Sequence, residues 1–140
     1  MSSTAKPVTP SDIETLSTVE QVRLAVEAAE SRKAEQLRVL ELRERADFTD
    51  FFLIMSGTNQ RQVQAIVDAI VERLRGRGVR PLHVEGYRLG RWVLIDYGGD
   101  LVIHVFQPET RDFYGLERLW SDAPDRTAGF ASAAAPEPLG

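Results

Sequence analysis

The chain has no cysteine among its 140 residues. That excludes a disulfide framework, a thiolate zinc or iron–sulfur centre, and a thiol nucleophile. It has no apolar run near the roughly 18 residues that a membrane span needs. Its first residues, MSSTAKPVTPSD, lack the apolar stretch of a secretory signal. Positive charge is in deficit: 17 Lys+Arg against 21 Asp+Glu leave −4. A net acidic chain is a poor candidate for gripping nucleic acid by bulk charge, because phosphate binding needs clustered Lys/Arg. What remains is a soluble, cytoplasmic protein about one domain long.

The two ends differ from the middle. Residues 1–17 hold both early prolines and many Ser/Thr. From Asp125 the chain reads DRTAGFASAAAPEPLG, rich in Ala and Pro. Both are expected to be disordered tails, at 1–17 and 125–140, since neither can bury enough surface to offset ordering entropy. The folded part is then 18–124.

Periodicity organises that span. Val19, Val22, Val26 and Ala29 recur at helical spacing behind a Ser17 or Thr18 cap. Leu37–Leu42 reads as a strand, and Phe51–Met55 as a second, buried one. Val63, Ile66, Val67, Ile70 and Leu74 then mark the best helix, stopped by Gly76 and Gly78. Pro81–Val84, Arg91–Tyr97 and Leu101–Phe106 are three further strands. The last two are joined by a Tyr97-Gly98-Gly99-Asp100 hairpin turn. Phe113, Leu116 and Trp120 mark a final short helix. The fold class is α/β (α+β), a small mixed sheet of about five strands with helices packed on it. The crossover between the second and third strands should be parallel and right-handed, and the last two strands antiparallel.

Candidate chemistry is thin. Ser56-Gly57-Thr58-Asn59-Gln60-Arg61 lies between a strand and a helix, where free N–H groups attract anions. It lacks the Gly-Lys-Ser/Thr of a phosphate loop, and a helix cap accounts for it. A nucleotidyltransferase resembles this layout, but two-metal catalysis needs convergent carboxylates. Here Ile95-Asp96-Tyr97 offers one Asp, and Asp100 lies past the turn. His83 and His104 stand 21 residues apart with no ligand pattern. His104 alternates with Ile103 and Val105, so it faces away from them. On the fourth strand Trp92, Leu94 and Asp96 share one face, and Val93, Ile95 and Tyr97 the other. If the second row covers the core, the first presents an outward Trp beside a carboxylate, as binding hot spots do. Burial of both rows under helices is the equal alternative. Tyr114 and Trp120 are expected to anchor the last helix. Charge is segregated: Asn59–Arg91 has seven Arg against three acids (+4), and Trp92–Asp125 seven acids against two Arg (−5).

Taken in order, the strings resemble one family. Phe48-Thr49-Asp50-Phe51-Phe52 and Ser56-Gly57-Thr58-Asn59-Gln60-Arg61-Gln62-Val63 are similar to the first half of the ribosomal silencing factor (Iojap-related) family. Pro81-Leu82-His83-Val84-Glu85-Gly86, Arg91-Trp92-Val93-Leu94-Ile95-Asp96-Tyr97-Gly98, Val102-Ile103-His104-Val105-Phe106 and Glu109 through Trp120 match its second half. The resemblance covers about 18–124. It implies a nucleotidyltransferase-like topology without that enzyme's carboxylates, hence no catalytic activity, cofactor or metal. It implies binding to the large ribosomal subunit through its protein uL14, steric block of subunit joining, and repressed translation in starvation or stationary phase. It also implies a homodimer in the free state. Trp92 would be the apolar anchor, with Glu85, Tyr87, Asp96, Asp100 and His104 as its polar surround. An acidic binder suits a basic ribosomal protein. The arginines from Arg61 to Arg91 leave room for a minor rRNA contact. The alternative is a nucleotide-binding, nucleotidyltransferase-like enzyme using Asp96, Asp100 and the Ser56–Thr58 turn.

Overall fold

The computed structural model describes residues 16–131. The expected tail segments 1–15 and 132–140 lie outside them. The elements run α1 (Thr18–Ser31), β1 (Glu35–Glu41), β2 (Phe51–Ser56), α2 (Gln60–Arg75), β3 (His83–Glu85), β4 (Trp92–Asp96), β5 (Leu101–Phe106), α3 (Pro108–Tyr114) and α4 (Leu116–Leu119). A single 3-10 turn follows at Thr127–Gly129.

Local signals set these boundaries. Ser17 caps α1, its hydroxyl accepting from Glu20 N at 3.1 Å. Asn59 caps α2, its Oδ1 accepting from Gln62 N at 2.8 Å. Gly78, at φ +84, lets the chain leave α2 while Val79 N still bonds to Leu74 O.

The five strands form one mixed sheet in the order β1-β2-β5-β4-β3. β2 and β5 pair in parallel, and every other neighbouring pair is antiparallel. The β4–β5 hairpin is antiparallel as expected. The crossover through α2 differs in one respect. It joins β2 to β3, which runs in the same direction, but β5 and β4 lie between them. The reason is burial. β2 and β5 are buried at all six positions, so they take the centre, while β3 is short and exposed, so it takes an edge.

α1 and α2 both cover one face of the sheet. Val22, Val26, Val63, Ile66, Ile70 and Leu74 pack there on Leu53, Met55, Val93, Ile95, Ile103 and Val105. Each such side chain contributes about 1.5–3 kcal/mol by leaving water. Val19, read as part of that stripe, is exposed. The opposite face carries a smaller core of Leu40, Leu42, Phe52, Ile54, Val102 and Phe106, capped by Leu116 and Trp120.

Two expectations are corrected. The final helix is broken at Gly115 (φ +56), so Phe113 points to solvent while Leu116 and Trp120 reach the sheet. The segment 125–131, expected as tail, runs along the outer edge of β1. Arg126 N donates to Val39 O at 2.8 Å and Val39 N to Thr127 Oγ1 at 2.9 Å. Phe130 stands edge-on to Phe51 at 6.3 Å. An edge strand with unpaired N–H groups invites a cover, and this segment supplies it.

Candidate partner-binding face

β4 alternates as a strand with one buried face must. Val93 and Ile95 are buried against the helices, while Trp92, Leu94 and Asp96 are half-buried on the other side. The cover from Leu116 and Trp120 lies over the smaller core of that second face. Glu85, Gly86, Trp92 and Leu94 line a shallow hollow of about 310 Å³ there.

Trp92 is held in a fixed pose. Its Nε1 donates to His104 Nδ1 at 3.1 Å. Its ring centroid lies 4.9 Å from Phe106 and 4.9 Å from Tyr114. Gly86 makes the hollow possible. It sits at φ +81, and a Cβ there would strike the Trp92 carbonyl. Tyr114, 55% exposed, and Phe113, 77% exposed, extend the apolar surface beyond Trp92.

The polar surround expected for Trp92 is only partly assembled. Glu85 is exposed on the rim and is the cross-strand partner of Leu94. Asp96 shares the face, but its Oδ1 accepts from Gly98 N at 2.7 Å and so caps the hairpin turn. His104 is not a surface group. It is 3% exposed beneath Trp92, and burial pushes its pKa down to about 4. A neutral ring whose Nδ1 accepts carries its proton on Nε2. That Nε2 is buried without a hydrogen-bond partner. Asp100 lies at the far end of the hairpin, where Thr18 Oγ1 donates to Oδ1 at 2.7 Å and Gln21 Nε2 to Oδ2 at 3.2 Å. It fastens α1 to the sheet. Tyr87 packs against α2, with its hydroxyl 2.9 and 3.1 Å from the Asp68 carboxylate oxygens. That bond to a carboxylate raises the phenol's pKa.

The other candidates resolve into structure. Asp96 and Asp100 are committed to separate partners and do not converge. Among the described residues, no group of three or more His, Cys, Asp or Glu could hold a metal ion. At the Ser56–Arg61 turn, Thr58 N and Oγ1 both donate to Gln62 Oε1, at 2.7 and 2.8 Å, so this is a capping network.

Sequence reasoning missed the buried Arg111. It donates to Ser56 Oγ at 2.8 Å and grips Glu117 with two nitrogens at 2.9 and 3.0 Å. Arg38 adds a bond to Glu117 at 3.1 Å and one to Asp125 at 2.9 Å. Arg111 and Glu117 are six residues apart, but the Ser56–Arg111, Arg38–Glu117 and Arg38–Asp125 pairs span 55 to 87 residues, so no local pattern announces the network.

Comparison with known proteins supplies the frame. Residues 15–138 match the family described as "Ribosomal silencing factor during starvation". Ribosomal silencing factor RsfS of Halalkalibacterium halodurans is 43% identical over 109 residues, covering 78% of this chain and 92% of the relative. The mouse protein named mitochondrial assembly of ribosomal large subunit protein 1 is 31% identical over 121 residues, covering 83% of this chain and 53% of the relative. A crystal structure of a Chromobacterium violaceum protein superposes with a TM-score of 0.73 at 33% identity, covering 75% of this chain and 87% of that one. With a family match across nearly its whole length and relatives above 30% identity, the chain belongs to the ribosomal silencing factor family.

Proposed function

We propose that this protein represses translation by occupancy, without catalysis, in the cytoplasm. It docks on the large ribosomal subunit at protein uL14 and blocks approach of the small subunit by steric overlap. The observation that carries the site is the pose of Trp92, half-exposed on the open sheet face and braced by His104, Phe106 and Tyr114. A rigid, partly desolvated Trp in a hollow is the anchor type that dominates interface energies. The rim supports a basic partner: Glu85 is exposed there, and Glu109 and Asp112 on α3 are exposed without ion-pair partners among the described residues. The names of the relatives, one a silencing factor and one an assembly protein of the large subunit, support the target. The same apolar face would close a homodimer in the free state.

The test is subunit joining followed by light scattering, with the protein added to large subunits first. Stoichiometric protein should suppress joining, and Trp92→Ala and Glu85→Lys should each restore it by weakening binding at least tenfold. Asp96 is the poorer target for charge reversal, because it caps the hairpin turn. Undiminished joining at excess of the parent protein would overturn the proposal. Sedimentation against concentration, with and without large subunits, tests the dimer.

A further inference from the structure

Arginines elsewhere in the molecule commonly stand beside a carboxylate, as Arg73 does with Glu27 and Arg75 with Glu72. Five exposed cations at the start of α2 do not. Arg32, Lys33, Arg61, Arg88 and Arg91 have no ion-pair partner among the described residues. They come from three segments: the end of α1, the first turn of α2, and the loop between β3 and β4.

Three glutamines of α2 hold those segments together. Gln62 Nε2 donates to the carbonyls of Arg32 and Lys33 at 3.1 and 3.0 Å. Gln60 Nε2 donates to Arg88 O at 2.6 Å, and Gln64 Nε2 to Tyr87 O and Arg88 O at 2.9 and 3.2 Å. Residues 60–64 span only about 6 Å of helix axis. Gly90, at φ +66, lies against Gln60, which brings the loop down onto the helix. Asp68, the acid nearest this loop along α2, is engaged by the Tyr87 hydroxyl. The helix-end amides are not the feature, since capping side chains already engage them. The feature is side-chain charge of one sign on a backbone fixed in advance.

We infer that Arg32, Lys33, Arg61, Arg88 and Arg91 form a patch around the start of α2 that binds the phosphate backbone of RNA. Four of the five are arginines, whose planar fork matches phosphate in a bidentate way. Contacts to phosphate position a protein without reading sequence, so binding should be sequence-tolerant. The two sites share one loop: Gly86 lines the hollow, and Arg88 and Arg91 follow it along the chain. A partner that offers protein and RNA side by side fits both. The choice of RNA rests on the ribosomal reading proposed above.

The experiment measures affinity of the full chain for a labelled single-stranded RNA of mixed sequence, as a function of salt. Five phosphate contacts give a log–log slope of about −3.5. The triple variant Arg61→Gln, Arg88→Gln, Arg91→Gln should lower the slope by about 2 and the affinity roughly tenfold or more at low salt. Arg75→Gln, Arg77→Gln, Arg80→Gln removes the same formal charge at the other end of α2 and should change neither. Equal losses in both variants, or no loss in the first, would overturn the patch. So would equally tight, equally salt-dependent binding of polyglutamate. The ribosomal reading is scored separately, by co-sedimentation with large subunits. Loss there with Trp92→Ala, but an unchanged salt slope with the Arg61 triple variant, would sink the patch and leave that reading standing. A parent that binds RNA but no subunit would do the reverse.

Discussion

His104 gives the sharpest handle on the proposed interface, because the pose of Trp92 depends on its charge state. The ring accepts from Trp92 Nε1 at Nδ1, which is possible only while Nδ1 is unprotonated. Burial lowers its pKa from 6.5 to about 4. Its face-mates and ring neighbours are Phe52, Leu94, Phe106 and Trp92, none of them ionisable in this range. The unfolded chain keeps a value near 6.5, so between about pH 6.5 and 4 it binds the proton that the folded chain refuses. Stability is therefore full above pH 6.5 and falls as pH drops. At about 1.4 kcal/mol per unit, a few kcal/mol is lost between about pH 6.5 and 4, and the loss levels off below pH 4. His104→Leu removes the titration. It forfeits one hydrogen bond, about 1 kcal/mol, but also deletes the orphaned Nε2–H, whose burial costs a similar amount. Urea unfolding of both proteins at pH 7.5, 6, 5 and 4.5 should show near-equal stability at the top and a more stable variant at the bottom. Carboxylates titrate in both proteins and cancel in the difference. A difference that stays constant from pH 7.5 to 4.5 would refute the reasoning.

Gly86→Ala should cost at least about 2 kcal/mol and weaken subunit binding, because its Cβ meets the Trp92 backbone at a left-handed φ; thermal unfolding and co-sedimentation read the two effects. Arg111→Met should cost about 2–3 kcal/mol in chemical denaturation, since Ser56 Oγ and the Glu117 carboxylate lose their buried partner. In the parent, Arg111 and Arg38 hold the Glu117 carboxyl below its usual range, so this share of stability is present at neutral pH and lost as pH falls through that lowered value. Ending the chain at Pro124 should destabilise by a few kcal/mol and raise aggregation, because it strips the cover from β1 and the Phe130 contact from Phe51. An equally stable, monodisperse truncation would make residues 125–131 a dispensable tail after all.

Much of the fold was legible because it is written in period. Val63, Ile66, Val67, Ile70 and Leu74 mark one face of α2, and all five are buried. The alternation of β4 separated Val93 and Ile95 from Trp92 and Leu94, and the structure decided that the first pair is buried and the second half-exposed. What failed was non-local. Parallel pairing of β2 with β5 is a choice among strands of similar character, settled by which pair buries both faces. Residues 125–131 have tail-like composition, yet β1 needs an edge cover and Phe130 a place on Phe51. His104 was read onto the right face. Its depth was invisible, because depth depends on Phe52 and Phe106 from other strand positions crowding it.

Charge shows the same limit and sharpens the functional argument. The segment 92–125 carries seven acids against two arginines, which suggested a field aimed at a basic partner. In the fold, Asp96 caps the hairpin turn and Asp100 fastens α1 to the sheet, while Glu117, Asp122 and Asp125 face Arg111, Arg38 and Arg45. Glu109 and Asp112 stay free, with Glu85 at the hollow. Docking on a basic protein then leans on the apolar anchor at Trp92, with a few acids to orient it, more than on bulk attraction. The cations divide the other way, with five unpaired ones held around the start of α2. Apolar contact gains slightly as salt rises and phosphate contact is lost steeply. Affinity for the intact subunit should therefore fall with salt to a plateau set by Trp92, and Trp92→Ala should remove the plateau while leaving the slope.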